Sequence, residues 1–165
     1  MDRVKYVETV ENLVDSIKGI LTSAGLGGEA GEYKLVTQSF LYKFLNDKFL
    51  YEAKKIDASN DYDHLMSLSK DDYEMLQMEI GPDIASIKQK DLIETVFKEQ
   101  NKDGFSEILD SALNDIAVDN NDLFSVETAG NTQVRLFDAK LIEDNIQDGS
   151  QRAHVARELT KPLAS

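Results

Sequence analysis

The chain has 165 residues, 41% apolar and 30% charged, with a formal net charge of −13 at neutral pH. Such a length allows one domain with a sizeable core, and the acid excess argues against nucleic-acid binding by the chain as a whole, because phosphate contacts need clustered Lys and Arg. There is no cysteine, which excludes disulfides, zinc ribbons and thiol chemistry. No apolar run approaches the roughly 18 residues of a membrane helix. Met1-Asp2-Arg3 leads into an amphipathic pattern rather than a signal peptide, so the cytoplasm is the expected compartment.

Tyr6–Ala24 reads as an amphipathic helix with Val7, Val10, Leu13/Val14, Ile17 and Leu21 in one stripe and Glu8, Glu11, Asp15 and Lys18 facing away. The glycines of Gly25–Gly31 stop it. The next stretch, Glu32–Glu52, carries Tyr33, Phe40, Tyr42, Phe44, Phe49 and Tyr51. Tyr33, Val36, Phe40, Phe44 and Tyr51 fall on one helical face, and Leu35, Leu45, Phe49 and Leu50 populate the others. A helix apolar nearly all round is a buried one, so this stretch is expected to be the central helix. Lys54 and Lys55 complement its C-terminal end.

Asp57–Asp63 reads as an acidic loop. Ser69-x-x-Asp72 resembles a capping box and should open a helix through Tyr73, Leu76 and Met78, closed by Gly81-Pro82. Ile84 and Ile87 are ambiguous between strand and loop. Lys90–Gln100 reads as helix with Leu92, Val96 and Phe97 inward, and Asn101–Gly104 as a turn. A cap near Ser106 opens a strong stripe of Phe105, Ile108, Leu109, Ala112, Leu113, Ile116 and Ala117. Ser125–Val134 reads as irregular, Asp138 as the cap of a short helix over Leu141, Ile142 and Ile146, Asp148–Ser150 as a break, and Ala153–Leu159 as a last helix.

Motifs with chemistry are few. Gly25-x-Gly27-x-x-Ala30 matches a loose dinucleotide fingerprint, but a helix precedes it where a strand is needed, and Glu29 and Glu32 would repel phosphate. Glu99 to Asp110 partly fits a calcium loop, with Gly104 at the sixth position. Glu at the first position, Ser106 at the eighth and Asp at the twelfth depart from that pattern, and the reading there is a turn between helices. His64 and His154 lack metal-ligand spacing. Charge is uneven: Asp57–Asp83 holds eight acids against one lysine, and Ser150–Ser165 holds Arg152, Arg157 and Lys161 against Glu158. Lys43, Lys48, Lys54, Lys55, Arg152 and Arg157 are the candidate DNA or partner contacts, set against the plain reading as solvated side chains.

Glu32-Tyr33-Lys34, then Phe40-Leu41, Lys43-Phe44-Leu45 and Asp47-Lys48-Phe49 resemble the N-terminal helical domain of the modification subunit of type I restriction–modification systems, the DNA adenine-N6 methyltransferases. Leu109–Leu113 followed by Asn120–Leu123 resembles a later stretch of the same domain. The resemblance covers roughly Asn12–Glu52 and Gly104–Ile146. It implies a role in assembly with the DNA-specificity and restriction subunits and in closing the enzyme round DNA, with no membrane involvement. S-adenosylmethionine would belong to a separate methyltransferase domain. Pro82 and Pro162 are the only prolines, so the Asn-Pro-Pro-aromatic loop that accepts the flipped base is absent and the piece itself has no catalytic, cofactor or metal residues. The expectation is a mainly α, compact bundle around a central buried helix at about residues 32–55, with at most a minor strand pair. Residues 1–147 would form the domain and 148–165 a linker and helix leading towards the methyltransferase. The alternative is a standalone acidic helical module for protein interaction.

Overall fold

Helix α2 (Glu32–Ile56) is the element on which the others converge. The computed structural model describes residues 3–124 and 137–164. Before α2 comes α1 (Arg3–Ser23). After it come α3 (Tyr62–Ser67), α4 (Lys70–Ile80), α5 (Ile93–Phe97), α6 (Phe105–Asp119), α7 (Asn121–Phe124), α8 (Leu141–Asn145) and α9 (Gly149–Leu163). The fold is a helical bundle, and no strand occurs among the described residues. Helix α2 packs against α1, α4, α5, α8 and α9, while α9 also packs against α1, α5 and α6. The expected irregular run Ser125–Val134 lies outside the described residues.

Local chemistry explains the clearest boundaries. The Ser69 hydroxyl accepts the N–H of Asp72 at 3.1 Å and starts α4. Gly81, with φ 95°, ends it in a conformation that favours glycine. Gly31, just ahead of α2, faces Asn145 of α8 so closely that a Cβ there would meet its side chain at 2.8 Å. A stripe of Phe105, Leu109, Ala112, Leu113, Ile116 and Ala117 is buried on α6, as the periodicity requires.

Several expectations need correction. Helix α2 is buried on one face rather than all round. Leu35, Val36, Ser39, Tyr42, Leu45, Asn46, Phe49 and Ala53 are inside, whereas Tyr33, Phe44 and Tyr51 are exposed. The acidic stretch Asp57–Asp63 is not all loop, because Asp61 accepts the N–H of His64 at 2.9 Å and opens α3. The helix expected over Lys90–Gln100 is confined to α5, preceded by a 3₁₀ turn at Gln89–Asp91. Gly104, not Ser106, is the N-cap of α6. Asp138 does not cap α8; its carboxylate pairs with Lys34 at 3.2 Å. The cap comes from α6, where the Asp110 carboxylate accepts the N–H groups of Ile142 at 2.8 Å and Glu143 at 3.2 Å. The twelfth residue of the partial calcium loop thus serves a helix end. Asp148-Gly149-Ser150 starts α9 instead of breaking the chain, with the Asp148 carboxylate accepting the N–H of Ser150 at 3.0 Å. Val155, Ala156, Leu159 and Leu163 are buried, so α9, expected as part of a linker, belongs to the same core as residues 3–124.

Between α4 and α5 the chain is irregular yet partly internal. Ala85 and Ile87 turn inward two residues apart, as in a strand, and Asp91 is buried at the end of the 3₁₀ turn that follows. No strand lies beside this segment among the described residues, and side chains supply the backbone's partners. Asn120 accepts the N–H of Ser86 at 2.7 Å and donates to its carbonyl at 2.8 Å. The Tyr73 hydroxyl donates to the Ile87 carbonyl, and the Tyr42 hydroxyl to the Asp91 carbonyl at 2.6 Å. Asn46 accepts the N–H of Ile93 at 3.0 Å. Buried backbone polar groups need such partners, and here α2, α4 and the end of α6 provide them.

Two carboxyls sit inside this framework. Burial pushes Asp91 up to about 6, opposed by the Lys90 ammonium at 3.0 Å; Lys90 also pairs with Asp115. One Asp91 oxygen, Oδ2, is buried without a hydrogen-bond partner. Burial likewise pushes Asp110 up to about 6, opposed by its two backbone donors. A carboxyl raised in the folded state opposes folding when ionised, so its penalty is full above about pH 6 and fades as the pH falls towards 4. Glu52, Asp57, Asp148 and Glu158 are lowered and act oppositely below that range. Urea denaturation should therefore show greater stability at pH 5 than at pH 7, by on the order of 1–3 kcal/mol. In Asp91→Asn the part of that gain due to Asp91 should disappear. A fall in stability from pH 7 to pH 5 would contradict this electrostatic account.

Candidate partner-contact face

The solvent side of α2 is set by its period. With Tyr42, Leu35, Phe49 and Ala53 turned into the core, the opposite side of a 3.6-residue helix must present Tyr33, Phe44 and Tyr51. They are 76%, 46% and 59% exposed, and Phe40 between them is half-buried. Three large aromatics in one exposed line form an apolar stripe, a feature that marks interaction surfaces when it is contiguous.

Four of the candidate cations flank this stripe. Lys48 and Lys55 both grip Glu52, at 3.0 and 3.4 Å. They also lie over the Tyr51 ring, 5.4 and 5.6 Å from its centroid. The hydrogen bond from Lys48, and secondarily that from Lys55, holds the Glu52 carboxyl below its ordinary range. Lys43 pairs with Asp47 at 3.1 Å. Lys54 lines a hollow of about 510 Å³ together with Asp47, Asp61, Asp63 and Glu94. The surroundings of these lysines are therefore mixed in sign rather than a basic track.

The other two candidates are elsewhere and turned inward. Arg152 donates through Nε to the Ile146 carbonyl at 2.8 Å and through Nη2 to the Glu143 carbonyl at 3.2 Å, which ties α9 to the end of α8. Arg157 donates to the Gln100 carbonyl at 3.4 Å. Helix α8 meets α2 at its start, near Gly31. Lys54 lies 23 residues beyond Gly31, about 35 Å along a helix. The structure thus joins Lys43, Lys48, Lys54 and Lys55 in one face and leaves Arg152 and Arg157 outside it.

The glycine turn fits no nucleotide. It joins two helices, and its Gly28 N–H already donates to the Glu32 carboxylate at 2.7 Å. Among the described residues no strand precedes a glycine turn, the arrangement that a strand–glycine–helix nucleotide site uses. Among the described residues no group of three or more His, Cys, Asp or Glu is placed to hold a metal ion, and no helix is long and apolar enough to cross a membrane. His64 is on α3 and His154 on α9, both exposed.

No family model, curated protein or solved structure matches the chain.

Sequence reasoning did not single out Asp91, and it weighed Asp110 only as the twelfth residue of a partial calcium loop and within the Leu109–Leu113 motif, not as a buried carboxyl. The available signal was an acid inside an apolar run, Asp91 before Leu92-Ile93 and Asp110 after Ile108-Leu109. It also assigned Tyr51 to the interior, which substitutions test directly. Phe49→Ala should cost about 3–5 kcal/mol in urea denaturation, as full-size core truncations do. Tyr51→Ala should stay within about 0.5–1 kcal/mol, as expected of an exposed site. Equal losses at the two positions would contradict the assignment of faces.

Proposed function

We propose that this chain is a non-catalytic N-terminal helical domain of a type I modification subunit. In this reading it contributes to assembly with the DNA-specificity and restriction subunits and to holding DNA in the full complex. Methyl transfer and S-adenosylmethionine belong to a separate methyltransferase domain of the parent protein.

The observation that supports the reading is the placement of the motif carrying the resemblance. Glu32 to Phe49 lies on the single helix α2. Its Leu45 and Phe49 anchor the core, and its Tyr33, Phe44 and Lys48 form the solvent face. One motif therefore supplies both a structural anchor and a contact surface. The net charge of −13 suits protein partners better than phosphates for the chain as a whole, so any DNA contact is local, at Lys54 and Lys55. The exposed stripe suits equally the second reading, a standalone acidic interaction module without a methyltransferase.

Two tests separate the possibilities. The coding sequence past Ser165 should encode a strand, a glycine-rich turn and an Asn-Pro-Pro-aromatic loop; a stop codon there would favour the standalone module. In the assembled complex, Phe44→Ser with Tyr51→Ser should lower subunit assembly tenfold or more while leaving the isolated chain folded. Lys54→Gln with Lys55→Gln should leave assembly intact, weaken DNA binding and flatten the salt dependence by about 0.9 for each phosphate that is no longer neutralised. Unchanged assembly would remove the aromatic face from the proposal, and unchanged DNA affinity and salt slope would remove the lysines.

A further inference from the structure

A cleft of about 590 Å³ lies between α5 and α6, a volume that suits a small organic molecule. Helix α6 packs against both α5 and the 3₁₀ turn before it, and the cleft follows that junction to the turn at Gly104. Val96, Ile108 and Ala112 give it apolar walls, with the exposed Ser111 beside them.

Asp91 lines the end of the cleft away from Gly104. Its side chain is only 2% exposed, and its Oδ1 takes the Lys90 ammonium at 3.0 Å. Lys90 also pairs with Asp115, one helical turn past Ser111, so the Asp91 carboxylate stands on the α6 side. Its Oδ2 is buried with no hydrogen-bond partner among the described residues. A carboxylate oxygen held out of water in this way carries a cost that a donor would recover.

The neighbouring charges specify the donor. Lys102 pairs with Glu99, and Lys90 is shared between Asp91 and Asp115. Glu107, exposed on the α6 wall, has no ion pair among the described residues. Carboxylate oxygens without a cation therefore stand at two places in a cleft whose walls between them are aliphatic. An anion would meet these carboxylates unfavourably. A metal ion lacks ligands, since no group of three or more acids or histidines is placed to hold one among the described residues. Ammonium groups on a short aliphatic chain match both the carboxylates and the walls. Lys90 leaves Asp91 within reach: its side chain is 60% exposed, and its ammonium can stay with Asp115 while another takes its place on Asp91. No carboxylate then loses its counter-charge.

We propose that the cleft between α5 and α6 binds a small aliphatic diamine, with one ammonium on Asp91, the other at Glu107 and the methylene chain across Val96, Ile108 and Ala112. This inference does not rest on the type I reading, and the chain alone suffices to test it.

Calorimetric titration with putrescine at about 0.15 M salt, which screens diffuse attraction to the acidic surface, should show saturable binding at one site. Asp91→Asn should weaken it tenfold or more, with circular dichroism confirming the fold. Ser111→Leu should weaken it comparably by filling the cleft, without touching a carboxylate. Glu107→Gln should weaken putrescine and leave the monoamine butylamine unaffected. Asp63→Asn, outside the cleft, should change nothing. Absence of saturable putrescine binding would overturn the proposal. So would affinity unmoved by Asp91→Asn or by Ser111→Leu, or a loss in Asp63→Asn equal to that in Asp91→Asn, which would mark general attraction to an acidic protein.

Discussion

A buried segment without a sheet ties this bundle together. Residues 84–93, irregular as far as Lys88 and then a 3₁₀ turn and the start of α5, pass among α2, α4 and α6 with Ala85, Ile87, Asp91, Leu92 and Ile93 buried. Extended backbone inside a protein must find partners for its N–H and C=O groups, and in a sheet the neighbouring strands supply them. Here Asn120, Tyr73, Tyr42 and Asn46 do so, each reaching in from a helix or its end. Their geometry fixes how far those helices stand from one another. The polar residues on the inner side of α2 are thus part of the packing: Tyr42 and Asn46 each meet a backbone group 47 or more residues away.

That arrangement explains which parts of the fold could be read from the residues. Long helices with one clean stripe, α1 and α6, were legible because their periodicity is local. The start and end of α4 were legible because Ser69 and Gly81 act on their own neighbours. The orientation of α2 was not, because aromatics stand on both of its sides. Its facing is decided by Tyr42 and Asn46, whose partners lie in a segment that itself looked like neither strand nor helix. Helix α8 was placed correctly but its cap was not, since Asp110 acts across 32 residues. Helix α3 had a local signal, Asp61 three residues before His64, obscured by the surrounding acids.

The candidate site follows the same division. That Lys43, Lys48, Lys54 and Lys55 share a helix was legible from spacing. That Arg152 and Arg157 serve carbonyls of the fold was not, because those carbonyls belong to the end of α8 and the turn before α6. Turning Tyr42, Asn46 and Phe49 inward forces Tyr33, Phe44 and Tyr51 outward, so the exposed aromatic side of α2 follows from the buried segment's demand for partners.

Amide hydrogen exchange of Ser86 and Ile93 tests the claim about the buried segment most directly. Both N–H groups lie outside regular helix-ladder bonding and donate instead to the side chains of Asn120 and Asn46. If those side chains hold the segment as a structural strut, both amides should exchange only through global unfolding, with protection equal to that of Phe49 in α2. Exchange of Ser86 and Ile93 orders of magnitude faster than Phe49, through a local opening that leaves α2 protected, would show that the bundle stands without them.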